Sequence, residues 1–406
     1  MSLIDLLADK GCWEKFYEYK LSLCCDKAFT AQLRGFIDNE QYLPVYRRIL
    51  SGKAFPLPEK SEVSKLGKEK KRIVYTYPYA ENITLKLLTY LCLRKYDYLF
   101  CRGLYSFRPG RNAKDAVKML RGKREISHLY AYKADISNYF NSVPIKKLIP
   151  MIQQTLLDDE RLCEFIISLL SEEQVKYRGS LITEQKGIMA GTPISAFLAN
   201  LYLKDLDRLF EDNGALYVRY SDDLLVFAKS DEQINEYRAL IKAHLDKMGL
   251  VINSDKEQLF KPNEGWSFLG FHFCGGIIDI APVTYTKLKN KMRRKARSLI
   301  RWADRNEVQR ERAAAAFIRV FNKKLFETSG GDNELSWSLW FFPVINTDKT
   351  LKRIDNYAQE CLRYIISGKR TKARFNVRYQ TLKDLGYKSL VNEYYRLKAT
   401  PLGHRH

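Results

Sequence analysis

Two adjacent carboxylates, Asp222 and Asp223, interrupt an otherwise apolar stretch of the chain. They stand in RYSDDLLVFA, residues 219–228, between two runs of residues that favour β-strands. A short polar interruption between such runs predicts a β-hairpin with Ser-Asp-Asp at its turn, because Ser and Asp favour turns. The pair is therefore either ordinary turn chemistry or part of a metal site, and the rest of the chain must separate the two interpretations.

A third carboxylate, Asp135, closes an alternating run. The segment HLYAYKADI predicts a strand over residues 128–136, and a place beside the hairpin would bring Asp135 to Asp222 and Asp223. Clustered carboxylates repel one another unless cations neutralise them, and Mg²⁺ prefers oxygen ligands. The three aspartates therefore predict a site for two Mg²⁺ ions. Enzymes that transfer phosphoryl groups with two metal ions hold those ions roughly 3.5–4 Å apart. The alternative for Asp135 alone is a cap on a helix that begins at ISNYF.

The chain carries a large excess of positive charge. Its 406 residues include 69 Lys and Arg against 47 Asp and Glu, a formal net charge of +22. This excess predicts a polyanionic partner, and nucleic acid is preferred over a membrane surface because no apolar run nears the length of a membrane span. The start of the chain lacks a signal-peptide pattern, and the eight scattered cysteines form no C-x-x-C pair. We therefore expect a cytoplasmic protein with reduced thiols, no zinc site and no membrane partner.

Seven segments, in order along the chain, resemble the motifs of one enzyme family. They are KEKKRIVYTYP, GLYSFRPGRNAKDAVKML, ADISNYFNSV, AGTPISAFLANLYL, YSDD, MGLVINSDKEQLF and WSFLGFHF. Together they span roughly residues 65–275 and resemble reverse transcriptases of the bacterial retroelement type, related to group II intron and retron enzymes. The resemblance implies an α+β right-hand polymerase, with fingers and palm made of antiparallel sheet and helices, and an α-helical thumb.

Composition and the resemblance together predict four parts. Residues 1–60 are a helical extension, 61–280 the fingers and palm, 281–333 a basic helical thumb, and 334–406 a helical, basic tail region. The third boundary falls after SGGDN, residues 329–333, which is typical of a loop or linker.

The resemblance also implies roles around the three aspartates. Asp135 and Asp222 would bind both catalytic Mg²⁺ ions, Asp223 would assist, and the backbone carbonyl of Ile136 would complete one coordination shell. Lys256, in the loop-and-lysine motif, would protonate the leaving pyrophosphate.

Three residues match positions that meet the incoming nucleotide. Phe140, five residues after the first aspartate, matches the ring that excludes a ribose 2′-hydroxyl and so favours deoxynucleotides. Its alternative is core packing of the adjacent Tyr139–Phe140 pair. Lys71 and Arg72 would meet the triphosphate, unless they belong to a solvated charge run.

One segment departs from the family pattern. Gly191 aligns with the Gly of a Pro-Gln-Gly motif at the nucleotide site, but Met189 and Ala190 stand where Pro and Gln belong. The missing Gln side chain normally helps to order nucleotide and template. The inherited template grip is therefore in question, whereas chemistry at the aspartates is expected to survive.

Two further sets are implied to contact nucleic acid. They are Arg108, Arg111 and Tyr220 on the template side or near the primer end, and Phe268, Leu269 and Gly270 as the primer grip. Structural pairing is the alternative for the two arginines, and an apolar core turn is the alternative for the primer grip.

The function predicted from these features is RNA-directed synthesis of cDNA from dNTPs with two Mg²⁺ ions. The AGTPISAFLAN wording and the YKSLVNEYY tail resemble bacterial defence-associated reverse transcriptases, which implies a dedicated noncoding RNA template and a role against phage. A template-independent or protein-primed DNA polymerase on the same palm is the first alternative. A catalytically inert RNA-binding scaffold is the second, and the intact aspartates argue against it.

Overall fold

The structure, a computed structural model, describes residues 1–23, 26–64, 71–123, 125–327, 336–369 and 373–399. Within them the expected α+β mixture of helices and mainly antiparallel strands is confirmed. The predicted linker SGGDN and the boundary at residue 333 lie outside the described residues. Six cysteines within the described ranges are free thiols, and the other two, Cys24 and Cys25, lie outside them.

The strands of the described residues fall into three sheets. In chain order they are β1 (Glu59–Ser64), β2 (Lys71–Thr76), β3 (Tyr130–Asp135), β4 (Gln174–Tyr177), β5 (Ser180–Thr183), β6 (Leu216–Tyr220), β7 (Asp223–Ala228), β8 (Gln258–Phe260), β9 (Trp266–Phe268), β10 (Phe271–Cys274) and β11 (Ile277–Ile280).

The helices lie before, between and after these strands. In chain order they are α1 (Lys10–Ser22), α2 (Lys27–Asp38), α3 (Tyr42–Leu50), α4 (Tyr79–Lys95), α5 (Ala113–Arg121), α6 (Tyr139–Ser142), α7 (Ile145–Thr155), α8 (Glu160–Ser171), α9 (Ser195–Tyr202), α10 (Lys204–Asp212), α11 (Asp231–Met248), α12 (Pro282–Arg305), α13 (Arg310–Phe326), α14 (Trp337–Phe341), α15 (Lys349–Ser367), α16 (Ala373–Asn376), α17 (Tyr379–Asp384) and α18 (Leu390–Ala399).

The chain divides into two compact units. The first comprises Met1–Ala116 and His128–Pro262, and the second Val117–Ser127 and Asn263–His406. The four predicted parts remain a prediction, because the division into two units reflects compactness alone and does not identify fingers, palm or thumb.

The first unit contains two four-stranded sheets. One has the order β6-β7-β3-β8, here called the aspartate sheet, and the other has the order β2-β1-β4-β5. The inner strands β3 and β7 are mostly buried, which suits the near-continuous apolar run DLLVFA. Helix α11 packs against both of them through a face that includes Ile234, Ile241 and Leu245. The aspartate sheet therefore has a rigid, dry support beneath the residues at its end.

The second unit contains the three-stranded sheet β11-β10-β9 and the helices from α12 onward. Helices α12, α13 and α15 pack against one another. The buried residues of α12 recur at helical spacing: Leu288, Met292, Ala296, Leu299 and Ala303. Its exposed residues are largely basic: Lys287, Lys289, Lys291, Arg293, Arg294, Arg297, Arg301 and Arg305. This helix therefore has one apolar face and one cationic face.

In the part of the chain that the structure describes, every helix is too short or too polar to serve as a membrane span.

Candidate active site

The two inner strands of the aspartate sheet bring two of the three carboxylates face to face. Strands β3 and β7 are antiparallel, and their register pairs Asp135 with Asp223. Directly paired residues project from the same face of a sheet. The strand predicted to end at Asp135 and the predicted hairpin are therefore neighbours, as the metal-site interpretation requires.

The third carboxylate lies in the turn of the hairpin. Tyr220 pairs with Asp223, which leaves Ser221 and Asp222 as a two-residue turn. Ser221 has φ of 59°, and a positive φ at the first turn residue is typical of the type II′ hairpin. The Ile136 N–H donates to the carbonyl oxygen of Asp222 at 3.1 Å. This bond ties the turn to the chain just past Asp135, so all three aspartates lie at one end of the sheet.

Crowding and burial make Asp222 and Asp223 costly to ionise. Burial raises the pKa of Asp222, and the charge of Asp135 raises it further, while the charges of Lys256 and Arg72 oppose the change. Burial also raises the pKa of Asp223, against the lowering effect of Lys133, whose ammonium lies 3.9 Å from the Asp223 carboxylate. The site therefore holds negative charge that a bound cation would stabilise.

Lys256 already supplies part of the positive charge that balances these carboxylates. Lys256 Nζ donates to Asp135 Oδ2 at 2.6 Å, and Asn253 Nδ2 lies 3.4 Å from the other oxygen. Among the described residues, no group of three acidic, His or Cys side chains is arranged so that it could hold a metal ion as it stands. The donor set nevertheless fits Mg²⁺, because it consists of hard oxygen ligands whose charge is incompletely balanced. Metal binding would have to compete with Lys256 for Asp135.

A buried polar network lies directly behind the turn. Arg219 donates to both carboxylate oxygens of Asp207, at 2.7 and 2.5 Å, and also to the Ser221 carbonyl at 3.2 Å. The Tyr217 hydroxyl donates to the same Asp207 carboxylate at 2.8 Å. This network was not predicted from the sequence, since Asp207 sits in α10 and resembles one more exposed helix carboxylate. The placement of Arg219 between apolar residues was the available signal.

A second bond holds the turn from the other side. The Ser221 N–H donates to Ser106 Oγ at 2.9 Å. Ser106 and Asn200 are fully buried and bond to each other twice, through Ser106 Oγ to Asn200 Oδ1 at 3.2 Å and Asn200 Nδ2 to the Ser106 carbonyl at 2.8 Å. Both backbone groups of Ser221 thus have buried partners, which fixes the residue before Asp222.

The residues predicted to meet the triphosphate differ in their surroundings. Lys71 and Arg72 are both exposed at the start of β2. Lys71 Nζ lies 2.7 Å from Glu62 across the β1–β2 hairpin, which favours the charge-run alternative for this residue. Arg72 lies close enough to Asp222 to affect its pKa. Of the two cations, Arg72 is the one whose charge lowers the pKa of Asp222.

The adjacent aromatic residues of α6 separate into different roles. Tyr139 is buried, and its hydroxyl donates to the carbonyl of Ala199 at 2.6 Å. Phe140 is only half-buried, and its ring meets that of Phe107 edge to face, with centroids 6.2 Å apart. Core packing therefore accounts for Tyr139, and Phe140 packs partly against the same core while it keeps an accessible face.

The segment that departs from the family pattern is tightly held. Met189 has φ of 60°, is fully buried, and its sulfur lies 3.7 Å from the Tyr77 hydroxyl. Ala190 accepts from the Tyr75 N–H at 2.8 Å, and Gly191 has φ of 101°. A Cβ on Gly191 would approach the Tyr75 carbonyl to 2.9 Å, so glycine is required by both conformation and space. Neither Met189 nor Ala190 offers a polar side chain in place of the usual Gln.

The predicted template-side residues have strong internal partners. Arg108 is buried, and its guanidinium donates to both carboxylate oxygens of Asp97 at 2.7 and 2.9 Å and to the Cys101 carbonyl at 2.6 Å. Arg111 donates to the Arg102 carbonyl at 2.6 Å. The geometry favours the structural alternative for Arg108, because its donors already have acceptors within the protein.

Tyr220 is the last residue before the turn that carries Asp222. It is partly buried, and burial raises the pKa of its hydroxyl. Its position beside the turn is compatible with the predicted place near a primer end, which stays a prediction.

The predicted primer grip forms a hairpin turn in the second unit. Phe268 pairs with Phe271, so Leu269 and Gly270 are the two turn residues, with φ of 49° and 89°. Two positive φ values are typical of a type I′ turn, which rarely places leucine there. Phe268 is fully buried, as the core-turn alternative requires, whereas Leu269 is partly exposed. Contact with a primer remains a prediction for this turn.

A family model describes more than half of the chain. Residues 60–273 match the model described as "Reverse transcriptase (RNA-dependent DNA polymerase)". The match includes the three aspartates, Lys256 and the predicted primer grip. It begins with the β1–β2 hairpin and ends within β10.

Three curated proteins are similar to parts of the chain. "Retron Ec86 reverse transcriptase" of Escherichia coli is 29% identical over 106 residues, 25% of this chain and 33% of its own length. "Uncharacterized 91 kDa protein in cob intron" of Schizosaccharomyces pombe is 29% identical over 122 residues, 29% of this chain and 14% of its own length. "Putative COX1/OXI3 intron 2 protein" of Saccharomyces cerevisiae is 20% identical over 267 residues, 51% of this chain and 30% of its own length. The chain thus spans no more than 33% of these relatives.

Solved structures of telomerase resemble the chain more distantly. Apo telomerase from Candida tropicalis has a TM-score of 0.48 at 12% identity, covering 85% of this chain and 68% of that one. Telomerase from Candida albicans, in complex with a fragment of telomeric RNA, has a TM-score of 0.45 at 12% identity. The match covers 90% of this chain and 70% of the telomerase chain. The sequence match over residues 60–273 is the more informative comparison.

Proposed function

Because this chain belongs to the reverse transcriptase family, we propose that it is an RNA-directed DNA polymerase that extends a primer with deoxynucleotides. The observation that carries the proposal is the register of β3 against β7, which sets Asp135 opposite Asp223 beside the turn residue Asp222. Paired carboxylates at one end of a rigid sheet are what two-metal nucleotidyl transfer needs.

The cofactor would be two Mg²⁺ ions held by Asp135, Asp222 and the Ile136 carbonyl, with Asp223 assisting. When bound, they would lower the pKa of the primer 3′-hydroxyl and stabilise the pyrophosphate leaving group. The protein's own task is to keep the carboxylates together despite their repulsion. The Ile136 N–H bond to Asp222 and the bonds to Ser221 support that task.

Other side chains would handle the nucleotide. Arg72 would bind the triphosphate, since its charge already acts on Asp222. Lys256 would release Asp135 and donate a proton to the pyrophosphate. Phe140 would place its accessible ring against the sugar and exclude a 2′-hydroxyl.

We propose that the template is a dedicated structured noncoding RNA, copied into cDNA in the cytoplasm of a bacterium as part of defence against phage. The net charge of +22 and the cationic face of α12 support contact with a nucleic-acid backbone, which is not sequence-specific. The similarity to a retron reverse transcriptase of Escherichia coli supports a bacterial enzyme of this class.

Incorporation of a labelled deoxynucleotide by the purified full chain tests the polymerase proposal. With an RNA template, a DNA primer and Mg²⁺, we expect primer extension that is lost when Asp222→Ala and Asp223→Ala are combined. RNA binding, measured in parallel, should change less than about twofold, because phosphate contacts lie on basic surfaces. Asp212→Ala, an exposed aspartate at the end of α10, is the control. No extension with any template or primer, while RNA still binds, would favour the scaffold.

Template-independent or protein-primed synthesis is the second candidate, and the buried Met189 favours it. Neither Met189 nor Ala190 can supply the side-chain amide that helps to order nucleotide and template. Intact-mass measurement of the protein after incubation with dNTPs and Mg²⁺ tests this candidate. DNA attached to the chain would support protein priming, and an unmodified mass with template-dependent products would exclude it.

A further inference from the structure

The segment from Leu104 to Arg108 is fastened to the catalytic hairpin at its first half. Leu104 forms a parallel bridge with Arg219, and the Tyr105 N–H donates to the Arg219 carbonyl at 3.0 Å. Ser106 Oγ then accepts from the N–H of Ser221 in the turn. Each of these bonds joins the segment to the strand or turn that leads to Asp222.

Its second half is fastened to the body of the unit by Arg108. The guanidinium has acceptors on Asp97 and Cys101, and only 9% of the residue is exposed. Such a bidentate arginine has little freedom to move. The intervening residue, Phe107, is therefore held from both sides.

Phe107 has a backbone that an aromatic residue rarely adopts. Its φ is 56°, and its side chain is an exposed large hydrophobic at 38% relative accessibility. A strained, exposed aromatic residue that its neighbours hold in place is a candidate for a functional role. The ring does not point into empty solvent, because its edge-to-face partner is Phe140, with an interplanar angle of 86°.

Phe140 therefore contacts two aromatic rings. The second is that of Tyr139, at 5.6 Å between centroids, and the Tyr139 hydroxyl is anchored to the Ala199 carbonyl. We propose that Phe107 is a positioning residue for sugar selection: it props Phe140 so that the gate ring cannot swing away from a ribose 2′-hydroxyl. This inference rests on the proposed function, in which Phe140 is that gate.

The arrangement also links the gate to the catalytic turn. Ser106 bonds the turn and Phe107 supports the gate, so a single segment sets the position of both. The GLYSFRPGR motif would then act through geometry inside the unit, and Phe107 would influence the nucleotide sugar only through Phe140.

The test compares kcat and KM for a deoxynucleotide and for the matching ribonucleotide. Phe107→Ala removes the prop, and we expect the preference for deoxynucleotide over ribonucleotide, as a ratio of kcat/KM, to fall about fivefold. The change should come mainly from better use of the ribonucleotide. Phe107→Tyr keeps the ring and should retain the preference of the unsubstituted chain for deoxynucleotide. If Phe107→Ala folds poorly, a changed preference in folded Phe107→Tyr would still contradict the inference. Tyr98→Ala, an aromatic residue 73% exposed in the same unit, should change nothing.

Three results would count against the inference in different ways. An unchanged sugar preference in folded Phe107→Ala, when Phe140→Ala does relax it, would overturn the propping role alone. An unchanged preference in Phe140→Ala would remove the gate, and with it the reason for a prop. Absence of nucleotide incorporation by the unsubstituted chain would overturn the proposed function itself.

Discussion

Arg219 and Asp207 form an ion pair with no exposed side-chain surface, immediately behind the turn that carries Asp222. Replacing such a buried pair by apolar residues is often neutral or stabilising, so stability alone is a weak reason for it. The guanidinium also donates to the Ser221 carbonyl. We infer that the pair serves chiefly to place the turn.

Breaking this pair should be far more harmful than neutralising both partners. Arg219→Met leaves the Asp207 carboxylate buried and unpaired, and we expect a loss of about 3–5 kcal/mol in the free energy of unfolding. Arg219→Met combined with Asp207→Asn should recover most of that loss, because the Asn oxygen can still accept from Tyr217. Urea unfolding of the three proteins measures this difference.

The same double variant separates folding from placement. If the pair positions the turn, the double variant should regain stability without regaining nucleotide incorporation, since Ser221 lacks its donor. Full recovery of both properties would mean that the pair has no role in holding the turn.

Asp222→Asn should stabilise the protein at neutral pH while it removes activity. The pKa of Asp222 is raised in the folded state by burial and by Asp135, so the folded protein binds that proton more tightly than the unfolded chain does. The ionised carboxylate therefore destabilises the fold above its raised pKa, and the penalty disappears as the pH falls towards the ordinary value of 3.8. We expect a gain of about 1 kcal/mol at pH 7 that shrinks on acidification, measured by thermal unfolding. A gain independent of pH would point to a cause other than charge.

Lys256→Met should strengthen Mg²⁺ binding and slow synthesis. The ammonium competes for Asp135 Oδ2, from which it lies 2.6 Å. Without it, we expect thermal stabilisation by Mg²⁺ to reach half its maximum at a roughly tenfold lower concentration, equivalent to about 1.4 kcal/mol. Lys242→Met is a suitable control, because Lys242 pairs with Glu257 and not with the aspartates. Equal Mg²⁺ dependence in both variants would show that the Lys256 pair does not compete with metal.

Gly191→Ala should cost more than the same change at Gly110. Both residues have positive φ, 101° and 66°, but a Cβ at Gly191 would meet the Tyr75 carbonyl at 2.9 Å, whereas no described atom lies within 4 Å of a Cβ at Gly110. We expect a loss of about 1 kcal/mol for Gly110→Ala and at least about twice that for Gly191→Ala, which must also move β2. Chemical denaturation compares the two, and equal losses would show that the loop can relax.

The sequence was most informative where local pattern and chemistry coincide. The hairpin at Asp222 and Asp223 follows from a turn between β-forming runs, and the strand ending at Asp135 follows from alternation. Their adjacency is a hypothesis at the level of sequence, from which the metal ions follow because clustered carboxylates repel one another, and the register of β3 and β7 agrees with that hypothesis.

Contacts that depend on distant segments were out of reach. Nothing near Arg108 in the sequence indicates that its guanidinium donates to Asp97 and to a backbone carbonyl, so Arg108 resembles a template contact. Asp207 likewise resembled a surface residue of an amphipathic helix. Met189 shows the same limitation, since its burial beside Tyr77 depends on packing that no local pattern encodes.

The register that sets Asp135 opposite Asp223 also limits how such a gene can change during evolution. Side chains alternate along a strand, so one inserted or deleted codon within β3 or β7 would turn a carboxylate to the opposite face. An insertion or deletion of two residues would return the carboxylate to its original face of the sheet but move it along the strand by about 6.6 Å. Substitutions in these strands can accumulate, whereas changes in length should be found only in the loops outside them.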